Sequence, residues 1–356
     1  MKYPALLSAE DVLAHLDDYD SIIDVRSASE FVLDHVPGAI NCPVLNDDER
    51  AQVGTIFKQK SAFEAKKIGA ALVAGNIALH LQQTLADKPR DWRPLIYCWR
   101  GGNRSGAMAL VLAKIGWPAV QLDGGYREYR RSVLSLLDSE PEALTFRVIC
   151  GTTGSGKSRL LTSLDREGAQ VLDLEQLAMH RGSVLGGIPG ESQPSQKMFE
   201  SLIWQKLRCF TALRPVYVES ESRKIGNLRV PETLMNKMRA SACVHLQTSI
   251  ADRVALLIED YPHLVADSTL LGSQLDHLVA LHGHEKIRAW RDMADIGQIT
   301  RLVEELLTRH YDPAYLRSIE RNFKGYAQAR SLKLEDISSS AFSKAAQALL
   351  DEERAS

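Results

Sequence analysis

Cysteine is scarce in this chain, and the few present form no pattern. Among 356 residues there are five, Cys42, Cys98, Cys150, Cys209 and Cys243. The number is odd, the spacing wide and no Cys-x-x-Cys pair occurs, which argues against a disulfide framework and a cysteine-rich zinc site. A strong charge of either sign is missing too. The net charge is −2, so the bulk balance does not point to nucleic acid, although a local basic face would suffice to bind one. Long apolar runs are also lacking. The N-terminal text MKYPALLSAEDVLAHLDD is apolar only briefly before acids follow, so it reads as neither a signal peptide nor a membrane span. No internal repeat or low-complexity tract is visible. A cytoplasmic location fits these absences, and in that reducing medium a lone cysteine stays a usable thiol.

What is present is core-forming material. Hydrophobic residues make up 45% of the chain, which supports two folded domains and opposes global disorder. Ser21–Val25, Leu95–Cys98 and Val120–Leu122 read as strands, and Ser105–Ile115 reads as a helix stopped by Gly116 and Pro118. Strands alternating with helices indicate an α/β fold with a parallel sheet. Leu136–Thr145 is polar, acidic and contains Pro141, so the domain boundary is placed there, giving domains 1–140 and 141–356. A second α/β pattern follows. Strands are expected at Phe146–Cys150, Ala169–Leu172, Pro215–Val218 and Ala242–Leu246, a helix from Ser158, and a helical C-terminal part from about Ile250 onward.

Cys98 ends a predicted strand, and Trp99, Arg100, Gly101, Gly102, Asn103, Arg104 and Ser105 lead from it into a helix. Open α/β sheets place ligands at such strand ends. The glycines let backbone N–H groups turn inward, the helix N-terminus adds positive potential, and Arg100 and Arg104 add cationic charge. Together these favour an anion, so the Cys98 thiol is expected to lose its proton more easily than usual. The cradle of Arg100, Gly101, Gly102, Arg104 and Ser105 suits a sulfur or selenium anion carried on Cys98, or a phosphate oxyanion. The plainer alternative is an inert buried cysteine beside a structural turn; two arginines and a Gly-Gly turn within one loop favour chemistry.

Flanking text sharpens this. Asp24-Val25-Arg26, Glu30-Phe31, His35-Val36-Pro37-Gly38-Ala39-Ile40-Asn41 and Leu122-Asp123-Gly124-Gly125 resemble the rhodanese family over residues 5–135. The resemblance implies that Cys98 is a covalent carrier of sulfur-type atoms and that Asp24 and Arg26 are scaffold. Cys98 and Arg104 also fit Cys-x5-Arg, a spacing similar to that of cysteine phosphatases on the same fold, where Arg104 would grip phosphate bidentately. The loop alone does not separate chalcogen transfer from phosphate-ester hydrolysis.

Gly151, Thr152, Thr153, Gly154, Ser155, Gly156, Lys157 and Ser158 fit G-x-x-x-x-G-K-[ST], with a strand before and a helix after. Such a loop wraps phosphate in backbone N–H groups; Lys157 adds a point charge and Ser158 can reach Mg²⁺. Acidic partners are Glu219, with Glu221 behind it, or Asp173 and Glu175; each has the alternative of a surface acid or helix cap. Nothing identifies a nucleotide, since the loop grips any pyrophosphate-like group. Basic residues in the second domain include His180-Arg181, Arg223-Lys224 and Arg317. Tyr311, Tyr315, Phe323 and Tyr326 lie among the C-terminal basics, where base stacking competes with ordinary packing.

The pairing of these two loops, with Val53-Gly54-Thr55, Phe63-Glu64-Ala65, Tyr97-Cys98-Trp99-Arg100-Gly101-Gly102, Asp173-Leu174-Glu175 and His180-Arg181-Gly182-Ser183, resembles the bacterial tRNA 2-selenouridine synthase family. The resemblance covers nearly the whole chain and is weakest after about residue 250. It implies an N-terminal rhodanese-like parallel-sheet domain followed by a P-loop NTPase-like α/β domain. It further implies a transferase acting on tRNA that carries wobble 2-thiouridine, in the tRNAs for lysine, glutamate and glutamine. Geranyl diphosphate would S-geranylate the base, and selenium from selenophosphate would replace the S-geranyl group to give 2-selenouridine. Both are co-substrates; no tightly bound cofactor is expected, and Mg²⁺ stays open. An apolar pocket for the geranyl chain is required, but Phe199, Trp204 and Phe210 read as core. The rival readings are a Cys-x5-Arg phosphatase with a nucleotide-binding regulatory domain, and a non-catalytic RNA binder.

Overall fold

The computed structural model describes residues 3–183 and 186–355. Two compact units emerge: Met1–Leu136 with Pro194–Gln205, and Leu137–Gln193 with Lys206–Ser356.

The first unit is built on a parallel five-stranded sheet of β1 (Ala5–Leu7), β2 (Ser21–Asp24), β3 (Ile40–Asn41), β4 (Pro94–Tyr97) and β5 (Val120–Leu122), in the order β1-β5-β4-β2-β3. β4 is central and buried along its whole length, which is why its sequence is a continuous apolar run rather than an alternation. It ends at Tyr97, one residue short of the expected strand, so Cys98 opens the loop to the Asn103–Ile115 helix. Two helices with no predicted counterpart, Asp47–Gln59 and Ala62–Gln83, are started by side-chain caps from Asn46 and Ser61. Pro194–Gln205, placed by sequence in the second domain, belongs to the first unit. Its Phe199, Ile203 and Trp204 are buried, Trp204 meets the Tyr129 ring edge-on at 5.8 Å, and Ser201 Oγ donates to Asp34 Oδ1 at 2.9 Å.

Leu136–Thr145, read as a polar boundary, is mostly helix: one helix runs Gly125–Ala143 with Pro141 near its end. Proline costs a helix least where few further intrahelical bonds depend on it.

The second unit holds β6 (Phe146–Cys150), β7 (Gln170–Leu172), β8 (Val216–Glu219), a short antiparallel pair β9 (Lys224–Ile225) and β10 (Leu228–Arg229), β11 (Ala242–Gln247) and β12 (Gly325–Lys333). Its main sheet is parallel in the order β12-β11-β6-β8-β7. β6 therefore lies inside the sheet and β8 directly beside it, which brings the ends of both strands to one edge. The C-terminal region from about Ile250 is largely helical, as expected, and includes one strand, β12, that the sequence pattern did not mark. It is an edge strand pairing in parallel with β11. Its exposed Gln328 and Lys333 dilute the apolar signal that marks inner strands. Helices between Pro262 and Leu306 enclose a separate apolar cluster around Trp290, Leu275 and Leu302. Among the described residues no helix is long and apolar enough to cross a membrane.

Candidate functional site

The cysteine loop begins beneath the surface. Cys98 is 1% exposed, whereas Trp99, Arg100 and Gly101 are exposed. Ser105 Oγ donates to Cys98 Sγ at 3.3 Å. The thiol in turn donates to the Arg100 carbonyl at 3.7 Å. A carbonyl oxygen thus faces the sulfur where inward N–H groups were expected. Arg104 is held by Glu30, with Nη1 to Oε2 at 3.0 Å. Burial opposes charge on Glu30, but Arg104 outweighs it and keeps the carboxyl below its usual range. Arg100 extends into solvent. Of the predicted cradle, the structure brings Ser105 to the sulfur, turns Arg104 to Glu30 and leaves Arg100 outside.

The loop is braced by residues that carry no motif. Gly101 and Gly102 both have φ near +70°, a left-handed geometry open mainly to glycine. Gln121 Nε2, from β5, donates to Gly102 O and to Ser105 Oγ, each at 3.2 Å. A Cβ on Gly102 would stand 2.6 Å from that Nε2. Gly125 lies against the Cys98 carbonyl, which accepts the Tyr126 N–H at 2.8 Å. The Asp123-Gly124-Gly125 text is therefore the seat on which the cysteine peptide rests. Beneath it, Arg26 grips Asp24 with both carboxylate oxygens between 2.6 and 3.0 Å, and both side chains are buried. Arg26 also lies 4.0 Å over the Tyr126 ring, whose hydroxyl donates to Asp34 at 2.7 Å. These contacts give Asp24 and Arg26 a scaffold geometry.

In the second unit the phosphate loop runs from the end of β6 into the Lys157–Arg166 helix. Gly154 and Gly156 take φ of +77° and +87°. Side chains from distant segments hold the loop. Tyr315 OH accepts the Gly151 N–H at 2.7 Å, and Arg253 Nε donates to Thr153 O at 2.9 Å while forking onto Asp312. Thr248 Oγ1 donates to Ser155 O at 2.8 Å. Lys157 Nζ donates to Gly151 O at 2.8 Å. Ser155 Oγ is buried without a hydrogen-bond partner among the described residues. A hydroxyl in that condition inside a phosphate loop marks a place where a ligand oxygen would be welcome.

Three predicted acids meet this loop differently. Ser158 Oγ donates to Glu175 Oε2 at 3.0 Å, and the Glu175 N–H donates to Glu219 Oε1 at 2.9 Å. Glu219 is 1% exposed, and its Oε2 has no partner among the described residues. Asp173 caps the Leu174–Ala178 helix, accepting from Gln176 N–H at 2.8 Å. Burial, then the Glu221 carboxylate, pushes Glu175 up to about 8 against the pull of Lys157. Burial, then Asp173 and Glu175, drives Glu219 well above the carboxylate range. Burial also raises Glu221, with Lys157 opposing. Among the described residues no three His, Cys, Asp or Glu side chains are grouped to hold a metal ion. Mg²⁺ at a phosphate loop needs fewer, since substrate oxygens and water complete its shell.

Among the C-terminal aromatics, Tyr326 is half-buried and lines a surface pocket with His245, Glu320 and Lys324. Tyr311, Tyr315 and Phe323 are turned inward, and Tyr315 is spent on the phosphate loop. Phe199 and Trp204 are core, as read from sequence.

Comparison with known proteins identifies both halves. The rhodanese-like domain family matches residues 8–132, and the tRNA 2-selenouridine synthase AAA domain family matches residues 144–270. A protein of Aeromonas salmonicida named tRNA 2-selenouridine synthase is 33% identical over 349 residues, covering 88% of this chain and 92% of its own. One of Bdellovibrio bacteriovorus with the same name is 31% identical, covering 85% of this chain and 91% of its own. A Nitrosomonas europaea protein, also so named, is 39% identical over 244 residues, 67% of this chain. That match spans 63% of the Nitrosomonas protein's length, and a match to a Nitrosomonas eutropha relative spans 62%.

Proposed function

The chain belongs to the tRNA 2-selenouridine synthase family, and we propose that it is an enzyme converting wobble 2-thiouridine of tRNA to 2-selenouridine. The observation that carries the reading is the presence in one chain of a braced cysteine loop and an intact phosphate loop with a partnerless Ser155 hydroxyl. A transfer that begins from a diphosphate ester and ends at a chalcogen needs both.

The chemistry runs in two steps. C2 of 2-thiouridine is a poor electrophile and its sulfur a poor leaving group. In the first step that sulfur attacks C1 of geranyl diphosphate; the C1–O bond breaks and pyrophosphate leaves. Loop N–H groups and Lys157 hold the diphosphate and neutralise charge as it departs. In the second step the Cys98 sulfur adds at C2, the bond from C2 to the geranyl-bearing sulfur breaks and geranyl thiol leaves; selenium of selenophosphate then displaces Cys98 from C2, and water cleaves the Se–P bond to release phosphate. Cys98 is assigned the covalent role in this exchange. A Mg²⁺ ion, held by Ser158 with Glu175 or Glu219, would offset further charge on the leaving pyrophosphate. The partnerless Glu219 Oε2 fits such an ion. The substrates are tRNAs for lysine, glutamate and glutamine, in the cytoplasm. Phosphate-ester hydrolysis is not adopted, because Arg104 is engaged by Glu30.

The test is mass spectrometry of wobble nucleosides from cells lacking the gene, complemented with wild type, Cys98→Ala or Lys157→Ala. Cys98→Ala should give no selenouridine. Lys157→Ala should lower S-geranylated nucleoside by weakening diphosphate binding. Unchanged selenouridine in the deletion strain defeats the proposal.

A further inference from the structure

The second unit contains a cavity that neither the phosphate loop nor the acidic cluster uses. Its enclosed volume is about 70 Å³, narrow, but several times what a single water needs. Its wall is mainly aliphatic, contributed by Leu257, Leu264, Leu271, Val303 and Leu307, and Thr153 of the phosphate loop forms part of its border. The two features touch: a Cβ on Gly154 would stand 2.9 Å from Leu257 Cγ. The Arg181 guanidinium lies 4.7 Å over the ring of Tyr261, one of the lining residues. Protein cores are close-packed and leave few voids larger than a water molecule. An apolar hollow opening beside a phosphate grip therefore has the form of a site for an amphiphile, with anion at one end and hydrocarbon at the other.

We infer that this cavity binds the hydrocarbon chain of an allylic diphosphate whose diphosphate sits on Gly151–Ser158. The inference rests on the prenyl-transfer reading above and adds the location of the chain to it. Burial in an aliphatic wall supplies affinity that inorganic pyrophosphate cannot gain. The depth of the cavity selects chain length, since each buried methylene adds to binding. The Tyr261 and Tyr311 side chains also line the cavity and add aromatic surface to its wall.

The experiment measures binding of inorganic pyrophosphate, dimethylallyl diphosphate, geranyl diphosphate and farnesyl diphosphate to the full chain by calorimetry. Wild type should bind geranyl diphosphate roughly tenfold or more tighter than dimethylallyl diphosphate. Val303→Trp, which fills the half-buried wall, should bring geranyl diphosphate down to the affinity of pyrophosphate and leave pyrophosphate within about twofold. Leu271→Ala, which deepens the cavity, should shift preference toward farnesyl diphosphate about fivefold or more. Lys157→Ala should weaken all four ligands. If Val303→Trp retains full geranyl diphosphate affinity, or loses pyrophosphate equally, or Leu271→Ala leaves chain-length preference unchanged, the chain lies elsewhere and the cavity assignment fails while prenyl transfer stands. If wild type binds geranyl diphosphate no better than pyrophosphate, the prenyl reading itself fails and the cavity assignment goes with it.

Discussion

Replacing Gly125 by Ala should damage the cysteine loop more than the same change at Gly124. Both residues are left-handed, with φ of +59° and +65°, so an L side chain at either costs about 1–2 kcal/mol. A Cβ at Gly124 would meet only the Glu128 side chain, which can swing aside. A Cβ at Gly125 would overlap the Cys98 carbonyl oxygen and lie 3.1 Å from its carbonyl carbon and 3.3 Å from that of Trp99. Those peptides are tied down by the Tyr126 and Arg127 N–H groups, at 2.8 and 3.1 Å. Backbone must then move, which adds the usual overpacking cost of about 1–3 kcal/mol. The totals are about 2–5 kcal/mol for Gly125→Ala against about 1–2 kcal/mol for Gly124→Ala. With about 4 °C per kcal/mol for a unit of this size, melting falls by roughly 8–20 °C and 4–8 °C respectively. Trp92, Trp99, Trp117 and Trp204 lie in the first unit and Trp290 in the second, so tryptophan fluorescence reports chiefly on the first. Displacing the Cys98 peptide also separates Sγ from Ser105. Iodoacetamide alkylation of Cys98, followed on its peptide by mass spectrometry, should change severalfold in Gly125→Ala and stay near wild type in Gly124→Ala. Equal melting and equal alkylation in the two variants would refute the role given to Gly125.

Arg26→Met leaves buried Asp24 with an uncompensated charge and should cost about 3–5 kcal/mol in urea unfolding of the first unit; a loss below about 1 kcal/mol contradicts it. Tyr315→Phe removes the acceptor of the Gly151 N–H and the partner of Ser220. It should cost about 1–3 kcal/mol and weaken pyrophosphate binding severalfold, and wild-type affinity would show that the loop does not need this tether. Glu175 is raised from 4.5 to about 8. Its contribution to stability is therefore complete below pH 4.5 and lost as pH rises through 8. The second unit should weaken over that interval in metal-free buffer, by on the order of 1 kcal/mol per pH unit at most, and Glu175→Gln should flatten the profile seen by hydrogen exchange; an unchanged slope removes Glu175 as its source.

The parts legible in the sequence are those where one local rule decides. Inner strands such as Pro94–Tyr97 are apolar end to end because both faces are covered. The phosphate loop is legible because its glycines, lysine and hydroxyl stand at a fixed spacing between a strand and a helix. The bracing of both loops was not legible. Gln121 is a neutral amide on a strand, and nothing in its neighbourhood separates it from a surface residue until β5 sets it beside Ser105. Arg253 and Tyr315 act on the phosphate loop from 100 and 164 residues away, a relation that only the fold creates. Tyr315 was read with the basic surface for the same reason. β12 escaped because an edge strand alternates weakly, and Pro194–Gln205 because its apolar residues would suit a core in either unit.

The polar surroundings of the Cys98 sulfur are set largely by one peptide. A thiol can donate to the Arg100 carbonyl at 3.7 Å; a thiolate there would face oxygen lone pairs and be repelled. Ser105 donates to the sulfur from the other side. An anionic sulfur or selenium on Cys98 requires the Arg100 carbonyl to turn away and an N–H to take its place. Gly101 follows that carbonyl. A Cβ there would meet nothing within 4 Å, so space is not what calls for glycine; its φ of +69° is. The rest of the loop has little freedom. Gln121 pins Gly102 and Ser105, Gly125 and Tyr126 pin the Cys98 carbonyl, and the Asp24–Arg26 pair underlies them. The peptide between Arg100 and Gly101 is the exposed part of the loop, while the neighbours of Cys98 named above are held by these contacts.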